Sequence, residues 1–166
     1  MLSNYGGIWL DSTFFCTSNI EKLFDLPIWT IKRPDYGHAS VACGQFANYS
    51  LGCDVEHRRF FGLLRDFIIN YWKNNDEIID YLLTDYLIVL ILKYDKESKL
   101  LFNSIEPNNP DCDELFKVLG CEFSETKWKE LNQNTCLFKL SWKYEYPYEV
   151  SNKDTFYKKL INKKLK

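Results

Sequence analysis

No Cys-x-x-Cys pair occurs in this chain, although it holds six cysteines, Cys16, Cys43, Cys53, Cys112, Cys121 and Cys136. Their scattered spacing suits neither a zinc knuckle nor a redox motif. With no secretory leader recognised either, they read as reduced, mostly buried thiols of a cytoplasmic protein. Long apolar runs are also lacking. The most apolar, Leu87-Ile88-Val89-Leu90-Ile91-Leu92, is closed in by Asp85 and Lys93, far short of the roughly 20 residues of a spanning helix, and reads as core. Excess positive charge is absent too: a formal net charge of −2 gives no reason to expect nucleic acid as a partner. The only histidines, His38 and His57, stand in no recognisable nucleophile context, which argues against a Cys/His hydrolase.

What is present is apolar surface to bury. Hydrophobic residues make up 46% and aromatics 17% of 166 residues, which suits a folded chain of one domain spanning 1–166 and argues against disorder. Strand-like runs are Ile8-Trp9-Leu10, continued by Phe14 and Phe15, then Ile28–Lys32, Ser40–Asn48 and Thr135–Tyr144. Between the second and third of these, Pro34, Asp35 and Gly37 mark a loop carrying His38, and Ser18 or Asn19 caps a turn of helix before Pro27.

Helical periodicity covers Glu56 to about Asn74, where Phe60, Phe61, Leu64, Phe67, Ile68, Tyr71 and Trp72 recur at three- and four-residue spacing. A second helix runs from a cap at Asp76 to about Tyr94 and carries Asp80 and Asp85, which are not well placed on one face. Shorter helical pieces are read at Ser98–Ser104, at Asp113–Leu119 with Gly120 as C-cap, and at Trp128–Gln133. From Lys139 onward eight lysines face three acids, and residues 153–166 form a basic amphipathic tail. Such a tail suits either a solvated end or contact with an anionic membrane surface.

The informative stretch is Asn4-Tyr5-Gly6-Gly7-Ile8-Trp9-Leu10-Asp11-Ser12-Thr13. Two glycines precede an apolar run that ends in an acid, as in a buried strand delivering a carboxylate to its edge. Taken alone, Asp11 reads first as the start of a turn or the cap of a following segment, and second as a carboxylate that grips a ligand or metal.

Tyr5 to Thr13 resembles the acidic motif of bacterial capsular polysaccharide synthesis proteins. These are related to glycosyltransferases with a Tyr-Gly-Gly-(aromatic or aliphatic)-Leu-Asp-x-Asp signature. Weaker resemblance continues through Pro27–Pro34, Leu64–Trp72, Ile79-Asp80-Tyr81-Leu82 and Lys139-Leu140-Ser141-Trp142-Lys143. It implies an α/β chain with a partial GT-A-like fold, a short mixed sheet flanked by helices, and transfer of a sugar from a nucleotide-sugar donor to a glycan or lipid-linked acceptor. Under it Asp11 orients the donor and a divalent cation, Mn or Mg. Gly7, Thr13, Lys139, Ser141, Trp142 and Lys143 lie at the donor, Gln45 and Asn48 at the acceptor, and Asp85 is the candidate catalytic carboxylate that assists the acceptor as base or electrostatic stabiliser.

The chain departs from that pattern at two places. Thr13 stands where the wider superfamily has a second Asp, a poorer ligand for a hard cation. The motif also lies a few residues after Met1, whereas in the family a donor-binding βα region precedes it, so this chain is expected to be the acceptor-side half. A non-catalytic glycan-binding or partner subunit is the competing expectation.

Overall fold

The structure is a computed structural model, and it describes residues 1–18, 20–21, 23, 26–33 and 40–165. The expected loop with His38, the cap at Asn19 and Pro34 lie outside the described residues. The chain divides into two compact units, Met1–Leu10 with Ile20–Pro107 and Asp11–Asn19 with Asn108–Lys166.

In the first unit a helical turn α1 (Leu2–Tyr5) leads into β1 (Gly7–Leu10), followed by β3 (Ile28–Thr30) and β4 (Ser50–Cys53). The sheet order is β1-β4-β3, with both pairings antiparallel. The mixed sheet expected from the resemblance is therefore corrected: every named strand pair is antiparallel.

The third strand is also displaced from its expected place at Ser40–Asn48 to Ser50–Cys53. Cys43 at φ 46° and Gly44 at φ 69° hold left-handed backbone, which breaks an extended run. Pairing resumes only after the Ser50 N–H has bonded the Ala47 carbonyl. In β4, Gly52 lets β1 approach closely, since a Cβ there would lie 3.0 Å from Ile8 Cγ1.

Helix α2 (Arg59–Asn74) forms where the periodicity predicts it, burying Phe60, Phe61 and Leu64. Helix α3 starts later than expected, at Leu83–Tyr94, because the Asp80 carboxylate accepts the Leu82 N–H at 2.7 Å and its carbonyl accepts Leu83. That turn replaces the helix proposed from Asp76. Helix α4 (Lys96–Asn103) is capped by Asp95, which accepts the Ser98 N–H. The core of this unit joins Phe60, Ile88 and Phe102 to Ile28 and Leu51.

In the second unit β2 (Phe14–Cys16) pairs with β5 (Leu137–Lys139). Phe14 and Phe15 thus form a separate strand, not an extension of β1, because the Phe14 N–H closes a turn on the Asp11 carbonyl. Short helices α5 (Leu115–Val118) and α6 (Glu125–Asn132), a small β6–β7 pair (Glu149–Val150 and Lys153–Asp154) and α7 (Phe156–Ile161) complete it. Gly120 is not a left-handed C-cap; the described glycines with positive φ are Gly6, Gly7 and Gly44.

The basic tail packs inward. Phe156 and Leu165 are buried with Leu115, Leu131 and Phe138. Lys158 pairs with Glu149 and Asp154, and Lys159 with Asp154, so the apolar face of this helix joins the core. Among the described residues no helix is long and apolar enough to cross a membrane.

Candidate functional site

Asp11 directly follows Leu10 and begins the turn into β2. Its Oδ1 accepts the Thr13 N–H at 3.1 Å and the Thr13 hydroxyl at 3.3 Å, the local bonding that makes Asp a turn former. Across the β2–β5 pair, Phe14 lies opposite Lys139, and the Leu140 N–H bonds the Thr13 carbonyl at 2.9 Å. The Lys139 ammonium donates to the Thr13 hydroxyl and lies 3.4 Å from Asp11 Oδ2. A third contact, to the Leu140 carbonyl, measures 3.4 Å. The structure thus brings together three of the residues singled out from sequence: Asp11, Thr13 and Lys139.

Partial burial works to raise the Asp11 carboxyl, but the Thr13 N–H, the Lys139 ammonium and the Thr13 hydroxyl outweigh it and hold the group below its ordinary value. The acid is ionised at neutral pH, and its pairing with the ammonium makes the cluster neutral.

The donor set at Asp11 does not fit a divalent cation. A hard cation such as Mg takes about six oxygen ligands, commonly one or two of them carboxylates. Here a single carboxylate has one oxygen engaged by Thr13 and the other facing an ammonium. Among the described residues no group of three or more His, Cys, Asp and Glu side chains is placed to hold a metal ion.

The other candidates sit apart from this cluster in their bonding. Ser141 Oγ accepts the Lys143 N–H at 3.3 Å, while Trp142, 80% exposed, and Lys143 lie at the surface. Gly7, in the first unit, has φ 99°, and a Cβ there would meet nothing within 4 Å; its backbone conformation, not a close approach, calls for glycine. Asp85, also in the first unit, is buried and accepts from Asn48 Nδ2 at 2.5 Å. Gln45 is exposed. Of the basic pair at the start of α2, Arg59 binds Asp95 at 2.7 Å, and Arg58 donates to the Asn4 carbonyl. His57 Nδ1 lies 2.8 Å from the Asp54 carboxylate.

Two features escaped the sequence reading. One is an open groove of about 920 Å³ in the second unit, lined by Trp128, Lys129, Asn132, Gln133, Lys163 and Lys164. The other is a run of neighbouring rings from Phe116 through Tyr144, Tyr146 and Tyr157 to Tyr148, with centroids 5.5 to 6.4 Å apart. The dense tyrosines of Tyr144-Glu145-Tyr146-Pro147-Tyr148 are the signal that could have disclosed the second.

A family model described as capsular polysaccharide synthesis protein matches residues 1–160. No curated protein and no solved structure matches the chain.

Proposed function

The chain belongs to the capsular polysaccharide synthesis protein family, and from that membership we propose that it serves sugar transfer from a nucleotide-diphosphate donor to a hydroxyl of a glycan or lipid-linked acceptor. The observation that carries the reading is the convergence of Asp11 and Thr13 on Lys139, which joins the early motif to the late Lys-Leu-Ser-Trp-Lys stretch.

In the reaction the bond from the sugar's anomeric carbon to the β-phosphate oxygen breaks, its electron pair leaving with the nucleoside diphosphate. The acceptor oxygen forms the new bond and its proton passes to solvent. Negative charge grows on the leaving diphosphate, and a preorganised ammonium there lowers the barrier. Lys139 supplies that charge. Asp11 and Thr13 hold the ammonium in place, and so act as positioning residues. Asp85 has no proton-transfer role in this scheme, because it is buried and already bonded to Asn48.

The test is release of nucleoside diphosphate from UDP- and GDP-sugars in the presence of capsule-derived acceptor. Release by the wild type, reduced about 100-fold or more in Lys139→Met, supports the reading. A folded wild type that releases neither nucleotide overturns it.

A further inference from the structure

We infer that Lys139 takes the place of a divalent cation in this chain, so that the donor diphosphate is bound by an ammonium and not through a metal ion; this rests on the sugar-transfer reading above.

Two carboxylates holding a divalent cation form a neutral site, and so does one carboxylate holding one ammonium. Thr13 in place of a second acid removes one negative charge, and Lys139 beside it needs only one negative partner. The substitution in the motif and the lysine on the facing strand are thus matched in charge.

Geometry agrees. The two side chains that would face a bound cation both face Lys139: Thr13 accepts from its ammonium, and Asp11 Oδ2 lies 3.4 Å away. Backbone pairing brings the two segments together: Lys139 sits opposite Phe14, and its own N–H is tied to the Cys112 carbonyl at 2.8 Å. A second cation brought to Asp11 would meet the ammonium at close range, and their repulsion in a partly dry site disfavours its binding. The contacts from Nζ to Asp11 and to the Leu140 carbonyl are both 3.4 Å, longer than the roughly 2.7–2.9 Å of a charge-assisted hydrogen bond. With Thr13 keeping its hold on the ammonium, a phosphate oxygen at that shorter distance adds a charge-assisted partner closer than Asp11 or the Leu140 carbonyl. Lysine serves this purpose as a compact point charge, with no need for the planar fork of arginine.

Calorimetric titration of the full chain with UDP and GDP, once in EDTA and once in Mn, tests the inference. The expected result is an affinity that EDTA changes less than about twofold, and that Lys139→Met lowers about tenfold or more, as for loss of one hydrogen bond to a charged group. Lys139→Arg, which keeps the charge, retains part of the affinity, and Mn does not rescue Lys139→Met. Asp11→Asn, which keeps an oxygen for the Thr13 N–H, remains insensitive to EDTA. Binding that requires Mn and vanishes in EDTA overturns the inference while leaving sugar transfer standing. Wild-type affinity in a Lys139→Met sample of unchanged melting temperature overturns it as well. Absence of UDP and GDP binding in both conditions sinks the sugar-transfer reading, and the inference with it.

Discussion

Asn48 Nδ2 donates to Asp85 Oδ2 at 2.5 Å, which ties the turn before β4 to the first turn of α3. Asp85 is 8% exposed. Burial pushes its carboxyl above the ordinary value, and the Asn48 hydrogen bond pulls part of the way back. Two residues that resemblance assigns to an acceptor pocket are therefore each other's partner, and their bond fastens two elements of the first unit.

Replacing Asn48 with Ala leaves a buried carboxylate without that donor, and is expected to cost about 1–3 kcal/mol of stability. The pH dependence follows from the direction of the shift. Between the unfolded value near 3.8 and the raised folded value, the folded state holds a proton that the unfolded state has released. Stability falls as pH rises through that window. Asn48→Ala raises the folded value further and extends the window upward, while Asp85→Asn removes it. Urea midpoints measured from about pH 4 to about pH 7 check this; parallel curves for wild type and Asp85→Asn contradict it.

Gly6 and Gly7 make different demands. Both have positive φ, 67° and 99°, but a Cβ on Gly6 would lie 2.8 Å from the Asp54 carbonyl oxygen, whereas one on Gly7 meets open space. Gly7→Ala is expected to lose only the roughly 1–2 kcal/mol of left-handed backbone strain. Gly6→Ala loses more, because backbone must shift. Equal melting temperatures for the two variants would contradict the close approach to Asp54.

Leu165 is 4% exposed within the second unit's core. Leu165→Ala is expected to destabilise by about 2–5 kcal/mol through lost burial and a residual cavity. Lys164→Ala, at an exposed neighbour, stays within about 0.5 kcal/mol. Thermal melts of the two variants decide whether the basic tail is part of the core.

Much of the fold was legible where a pattern is local. The aromatic spacing of α2 announced a helix that buries Phe60, Phe61 and Leu64, because side chains three and four apart share one helix face. Ile8-Trp9-Leu10 and Ile28-Trp29-Thr30 announced strands by their β-branched and aromatic content. Where local signals competed, the reading failed. Ser40–Asn48 carries strand-like residues, yet the left-handed backbone at Cys43 and Gly44 makes it a turn. Phe14 and Phe15 look like a continuation of β1, yet the Asp11 turn sends them to another partner.

The sequence by itself determined that Asp11 and Thr13 stand two apart at the end of an apolar run, and that the chain belongs to a capsule-synthesis family. Only the tertiary structure decided what faces the motif. Lys139 is 126 residues from Thr13 in the chain, and no periodicity links them. Their meeting depends on the antiparallel register of β2 with β5, set by backbone pairing and by burial of Leu137 and Phe138. A slip of one residue would turn Lys139 to the opposite face.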